Sequence, residues 1–162
     1  MNIIKPYAKM LSPRNPSESF TKEDGVILLK NIEYYARVSH RSEDAITADS
    51  YDRILRSVVL NHGDFSVIEH EKVTVEAIVD RGITHEWVRH RLFSYTQEST
   101  RFVNYVKKML PSFIVPPFTK EQEKDGAKII WDVMIDKVEK SYEALVNMGC
   151  APQIARSLFP NA

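Results

Sequence analysis

Most of the chemistry this chain could perform is written between positions 85 and 105. The segment reads His-Glu-Trp-Val-Arg-His-Arg-Leu-Phe-Ser-Tyr-Thr-Gln-Glu-Ser-Thr-Arg-Phe-Val-Asn-Tyr. His85, Glu86 and His90 suggest a zinc-protease helix at first sight, but that motif needs histidines four apart so that both imidazoles face one ion. Here the spacing is five, which turns the second ring by about 140° around a helix. The flanking Arg89 and Arg91 also make His90 a poor host for a cation, so no metal is expected. Cys150 follows Gly149 and precedes Pro152, with no histidine nearby in sequence to activate it. A lone cysteine in that setting reads as a small apolar residue rather than a nucleophile.

Two readings of the arginines remain. Arg81, Arg89, Arg91 and Arg101 could form a solvated basic face. Alternatively, Arg89 and Arg91 could hold a phosphate-bearing small molecule. Arginine replaces lysine throughout the segment, and its planar donor fork matches phosphate and carboxylate oxygens two at a time. Ser94, Thr96, Gln97, Ser99 and Thr100 add neutral donors among the charges. Arg89 and Arg91, two apart on a helix, would point to different sides and serve two anionic groups.

These residues must be positioned by the elements around them. Residues 24–39 carry Ile27, Leu28, Ile32, Tyr35 and Ala36 at helical spacing, and residues 48–61 carry Tyr51, Ile54, Leu55, Val58 and Val59. The run from Asn61 to Asp64 breaks the second helix, and Asn15-Pro16-Ser17 reads as a loop. Residues 72–80 alternate, with Val73, Val75, Ala77 and Val79 on one face, so a strand with that face buried is expected. Arg81-Gly82 reads as a turn, with Thr84 capping a short helix from about His85. Prolines 111, 116 and 117 make residues 110–118 a loop or broken edge. Thr119 with Gln122 forms a capping box for a long helix. Its stripe of Ala127, Trp131, Met134, Ile135, Val138, Tyr142 and Leu145 runs about seven turns. Gly149 stops it, and Pro152 opens a last helix through Ile154 and Leu158 to Phe159. Tyr95, Phe102 and Tyr105 read as packing residues.

This balance predicts an α+β (mixed α/β) fold: helix-rich, with a small, mainly antiparallel sheet and a long helix in the C-terminal half. The 162 residues suggest one domain spanning 1–162. Twenty-two basic and 22 acidic residues cancel, which argues against a dedicated nucleic-acid binder. One cysteine among 162 residues precludes an internal disulfide and fits a reducing compartment. No signal peptide or membrane-spanning run is apparent, so a cytoplasmic protein is expected.

Three motifs together resemble the flavin-dependent thymidylate synthases. Arg89-His90-Arg91, seven residues and then Ser99 resembles their signature, with Ser94 and Arg101 in the matching positions of the longer pattern. Upstream, Ser66-Val67-Ile68-Glu69-His70 resembles the family's hydroxyl-x-x-Glu-His segment. Downstream, the run from Ala155 to Pro160 resembles its Ala-Arg-x-x-Leu-Pro motif. Thr96 stands where the pattern has Asn, Glu86 where Gln is usual, and Phe159 where it has Leu. The family pattern also continues with a further strand and helix past the point where this sequence ends.

The resemblance implies reductive methylation of dUMP to dTMP, with methylenetetrahydrofolate as carbon donor and FAD and NADPH as reductants. It implies that Ser66, Arg89, His90, Arg91 and Gln97 contact FAD. It places dUMP against Glu86, Trp87, Val88, Arg89, Gln97, Glu98, Ser99, Thr100, Arg101 and Arg156. Arg101 and Ser99, on the phosphate side, are the expected catalytic pair, and Arg156 is expected to arrive from a neighbouring subunit. A homotetramer with sites at subunit junctions is implied. The alternative is an FAD- and dUMP-binding homologue that cannot turn over. Glu69 and His70 are read equally as site residues or as supports for the strand.

Overall fold

The computed structural model describes residues 2–107 and 111–160. The chain expected to form one domain packs as two compact units, residues 8–77 and residues 1–7 with 78–162.

In the first unit, strand β2 (Tyr7–Leu11) pairs with β3 (Thr74–Ile78), and Lys9 faces Glu76 across the pair at 3.3 Å. A loop returns from β2, with Ser12 and Phe20 amides bonded to the Glu18 and Met10 carbonyls. It leads into α1 (Lys22–Val38), whose start is fixed chemically. Thr21 accepts from the Asp24 amide while Asp24 accepts from the Thr21 amide, a reciprocal capping box. Arg14 closes on the same carboxylate at 2.6 Å. The Thr21 backbone bond, aided by Arg14, holds the Asp24 carboxyl below its ordinary range.

Helix α1 buries Ile32 and Ala36 against Val67, with Leu55, Val58 and Val59 around them. Ile27, expected on that stripe, is exposed instead. Beside the apolar contact lies a buried polar one. Glu33 accepts from Arg37 Nε at 2.7 Å and from Ser50 Oγ at 2.6 Å. Ser50 in turn receives the Thr47 amide, and Arg37 reaches the Ser42 carbonyl. This network fixes the connection between α1 and α2 (Ser50–Leu55). The helix expected over 48–61 continues past Leu55 as a π turn, Arg56–Asn61, which ends at His62 with Gly63 in the left-handed region (φ 73°). A short 3₁₀ turn, Ser66–His70, then leads to β3. Val73 and Val75 are exposed, so the valine face of this strand is not the buried one expected. A pairing of two strands covers little of either face, so alternation alone did not fix burial.

In the second unit, β1 (Asn2–Ile4) runs parallel to β4 (Ser112–Ile114), with Ile3 opposite Phe113. Among the described residues the strands thus form two separate pairs, β1–β4 being parallel, rather than one mainly antiparallel sheet. Parallel pairing needs a long crossover, and more than 100 residues separate these strands in sequence. Helix α3 spans Arg81–Trp87 and is capped by Asp80, which accepts from the Ile83 amide. The expected turn at Arg81-Gly82 is therefore its first turn, and Thr84 bonds back to the Arg81 carbonyl rather than capping. Asp80, four positions before Thr84, supplied the cap instead.

Thr119 and Gln122 form the expected capping box, but on the short α4 (Lys120–Lys124). Gly126 (φ 88°) breaks the run, and the long α5 starts at Ala127 and ends at Asn147. Its end is a Schellman closure: Gly149 N bonds Val146 O and Cys150 N bonds Leu145 O, each at 3.0 Å. Pro152 then opens α6 (Pro152–Ala155), followed by a 3₁₀ turn, Arg156–Leu158. Ile135 and Tyr142 on the α5 stripe are buried, while Met134 is exposed beside Ile129, Ile130 and Val133. Leu110 of the proline-rich stretch lies outside the described residues, and the rest is the short β4 followed by loop.

Removing one member of the buried Glu33 network strands the Arg37 guanidinium. Glu33→Ala is expected to cost about 3–5 kcal/mol in chemical denaturation, and Ser50→Ala about 1 kcal/mol. Asp24 makes a separate contribution through its depressed folded-state value. That contribution is complete above the unfolded carboxylate range and disappears as pH falls through the folded value. Asp24→Asn should therefore flatten the acid limb of stability below about pH 4 while wild type declines there.

Candidate functional site

The second unit carries most of the residues singled out above. Helix α3 ends at Trp87, where the Arg89 and His90 amides switch to shorter bonds with the Glu86 and Trp87 carbonyls. Arg89, His90 and Arg91 thus leave the helix as a turn. The expected arrangement on a helix, pointing to opposite sides, does not hold, because the tightening chain unwinds before Arg89. All three side chains are exposed. Arg89 lies 3.7 Å from Glu86, an ion pair in open solvent that contributes little. Leu92 is 100 % exposed and Phe93 is largely so, with Phe93 ringed edge-on by His90.

Residues 97–101 are held quite differently. The Tyr105 hydroxyl donates to Glu98, and the Arg156 Nη1 donates to Thr100 Oγ1 at 3.0 Å. Ser99 turns the chain: its carbonyl accepts the Phe102 and Val103 amides, and its hydroxyl accepts the Arg101 amide. Arg101 itself is exposed and lies over the Phe102 ring at 5.5 Å. Gln97 is exposed, and Trp87 and Val88 are partly uncovered.

The anchor beneath this loop is aromatic. Tyr142, 1 % exposed on α5, stacks on Phe159 at 4.7 Å and 20°. Tyr105 meets both rings edge-on, at 6.0 and 5.7 Å, and Phe113 of β4 meets Phe159 at 6.2 Å. The Tyr105 reading as a packing residue is thus matched, whereas Phe102 is exposed. Burial first, and then the Glu98 hydrogen bond, push the Tyr105 phenol well above its ordinary value, against a downward pull from Arg81. Its proton therefore stays in place as a donor throughout the neutral range.

Between the loop and the C-terminal turn opens a cleft of about 290 Å³, lined by Arg81, Thr100, Gln153, Arg156, Ser157, Phe159 and Pro160. Thr100 and Arg156, 56 positions apart, are brought together here. Arg156 was expected to serve a site in a neighbouring subunit, yet within this chain it already bonds its own loop. Arg81, Gln153 and Ser157 were not among the expected site residues. Arg81 could have been suspected only as one more arginine of the basic segment, and nothing in the sequence set the other two apart. Cys150 is half-buried, with its amide closing α5.

Ser66 belongs to the other unit. There it is exposed and donates to Asp64 at 2.7 Å. His70 stacks against Tyr35 of α1, ring centres 4.5 Å apart, and Glu69 is exposed beside it.

With the geometry in place, the relationships of the chain are clear. Residues 28–162 match the family described as thymidylate synthase complementing protein, and the chain belongs to that family. It is 33% identical over 121 residues to the flavin-dependent thymidylate synthase of Saccharolobus solfataricus, covering 74% of this chain and 44% of that protein. The Mycobacterium tuberculosis H37Rv enzyme of the same name is 31% identical over 118 residues, 64% of this chain and 46% of its own. The Pyrococcus furiosus one is 28% identical over 134 residues, 81% and 53% respectively. The chain thus spans about half the length of these relatives. A crystal structure of a UMP/dUMP methylase, PolB from Streptomyces cacaoi, bound with 5-Br dUMP, shares the fold. Its TM-score is 0.68 at 20% identity, covering 99% of this chain and 70% of that one. The helix-rich α+β class is therefore shared with that structure.

The hydroxyl of Tyr105 is the one polar tie between the aromatic cluster and Glu98. Tyr105→Phe keeps the ring packing and should cost about 1–2 kcal/mol by denaturant titration. Amide exchange at residues 97–101 should rise in the same variant while that of α5 stays unchanged.

Proposed function

We propose that this chain supplies the nucleotide- and flavin-binding region of a flavin-dependent thymidylate synthase, methylating dUMP to dTMP. The observation that carries the reading is the pairing of the Arg89-His90-Arg91–x7–Ser99 motif with the Ala-Arg-x-x-Leu-Pro motif, joined by the Arg156–Thr100 bond. Methylenetetrahydrofolate gives the carbon and NADPH the reducing equivalents. FAD, when bound, supplies the hydride.

The exposed donors suit such ligands. Arg89, His90 and Arg91 project three cationic or donor side chains, with only the exposed Glu86 close to one of them. Together with Gln97 and Ser66 they would hold FAD, neutralising its pyrophosphate with guanidinium forks. Glu86, Trp87, Val88 and Arg89, with residues 97–101 and Arg156, would hold dUMP. Ser99 and Arg101 would fix its phosphate and so orient the pyrimidine. Orientation of this kind supplies much of a catalytic effect when the protein attacks nothing itself. Cys150, at the end of α5, has no part in this scheme. A cytoplasmic homotetramer with sites at subunit junctions fits the reading.

A second reading is a homologue that binds FAD and dUMP without turnover. The purified protein should be yellow, bind dUMP, and release tritium from 5-labelled dUMP when NADPH and the folate are present. Binding without release selects the second reading, and a folded protein that binds neither ligand at micromolar concentration excludes both. Arg101→Ala should weaken dUMP about tenfold or more, leaving FAD affinity within about twofold. Equal losses for the two ligands would remove residues 97–101 from the nucleotide site.

A further inference from the structure

Arg81 belongs to none of the three motifs, yet it lines the same cleft as Arg156 and Thr100. The lining contains two arginines, three neutral polar side chains (Thr100, Gln153, Ser157) and no carboxylate. Both arginines are partly buried residues. Elsewhere in the molecule, partly or fully buried cations are matched: Arg37 with Glu33 at 2.7 Å, Lys128 with Asp132 at 2.6 Å. Here the matching charge is missing among the described residues. Arg156 spends one N–H on a neutral hydroxyl, and the Arg81 guanidinium has no ion pair there. Glu98, on the same loop as Thr100, is engaged by the Tyr105 hydroxyl, where the charge of Arg81 is felt.

Two neighbouring guanidinium groups without a counter-charge repel one another and stabilise an incoming anion. Phe159 and Pro160 give the cleft an apolar wall beside the charged one. At about 290 Å³ it sits at the low end for small-molecule sites, the size for part of a ligand rather than all of it. We propose that Arg81 and Arg156 together grip a phosphate monoester, with Thr100, Gln153 and Ser157 as neutral donors, and that Arg81 is the phosphate-binding residue the sequence motifs omit. That the natural ester is a pyrimidine nucleotide rests on the function proposed above; the anion site does not.

Inorganic phosphate probes the site and dUMP probes the reading, in wild type, Arg81→Gln and Arg81→Lys. Phosphorus NMR line broadening or calorimetry should show phosphate binding to wild type and a loss of about fivefold or more in Arg81→Gln. Arg81→Lys should fall between the two, since it keeps the charge and loses the fork. It carries the comparison if the glutamine variant fails to fold by circular dichroism. Equal phosphate affinity in all three proteins, or none in folded wild type, overturns the proposal. Phosphate binding that depends on Arg81 but is not displaced by dUMP supports the anion site and removes the nucleotide reading. Wild type and Arg81→Gln binding dUMP equally well would overturn Arg81 as the ligand of the nucleotide phosphate.

Discussion

The stack of Tyr142 on Phe159 is the contact on which the second unit's functional geometry depends. It joins the C-terminal part of a 21-residue helix to the turn that carries Arg156, and it gives Tyr105 two rings to lean against. Offset and edge-on aromatic pairs add about 0.5–1.5 kcal/mol each beyond the area they bury. The larger effect is directional, because flat rings packed on one another leave few rotamers open. From that platform two polar bonds rise, one to Glu98 and one to Thr100. They fix a short loop at both ends while its outward donors remain unspent. Phe159 departs from the leucine of the family pattern, and this platform gives the reason: leucine would fill the space but could not stack.

The first unit is organised by a different device. Its apolar core is small, and a buried ionic cluster stands beside it, with one oxygen of Glu33 lacking a partner among the described residues. Such clusters seldom add net stability over apolar packing, but they penalise any misregistered arrangement that separates their members. Arg37, one turn along α1, and Ser50 of α2 both bond the same oxygen of Glu33, so the Ser50 bond ties α2 to α1 in one register. That constraint sits directly before the π turn, whose extra residue shifts the phase of the chain leading to Ser66.

Much of this was legible in the chain itself, and the failures share a cause. Caps and stops written in local chemistry were read correctly: Thr119 with Gln122, Gly149 at a helix end, Pro152 at a helix start. Each depends on two or three adjacent residues. The breaks at Gly126 and Arg56 were missed because apolar spacing carries across a glycine or a π turn with little change. Strand partners depend on contacts far apart in sequence, more than a hundred residues for the parallel β1–β4 pair, which periodicity does not encode. At the candidate site, motif matching located Arg156 and Thr100. It gave no hint that they touch, nor that Arg81 shares their cleft.

Gly149 shows how far such local chemistry can act. Its φ of 89° belongs to the left-handed region, and a Cβ there would meet nothing within 4 Å, so any cost of a side chain is purely conformational. For most residues that is about 1–2 kcal/mol. A chain that avoided it would leave α5 along another heading, and the guanidinium seven positions downstream would swing with it. A residue with no side chain thereby sets the aim of one of the longest.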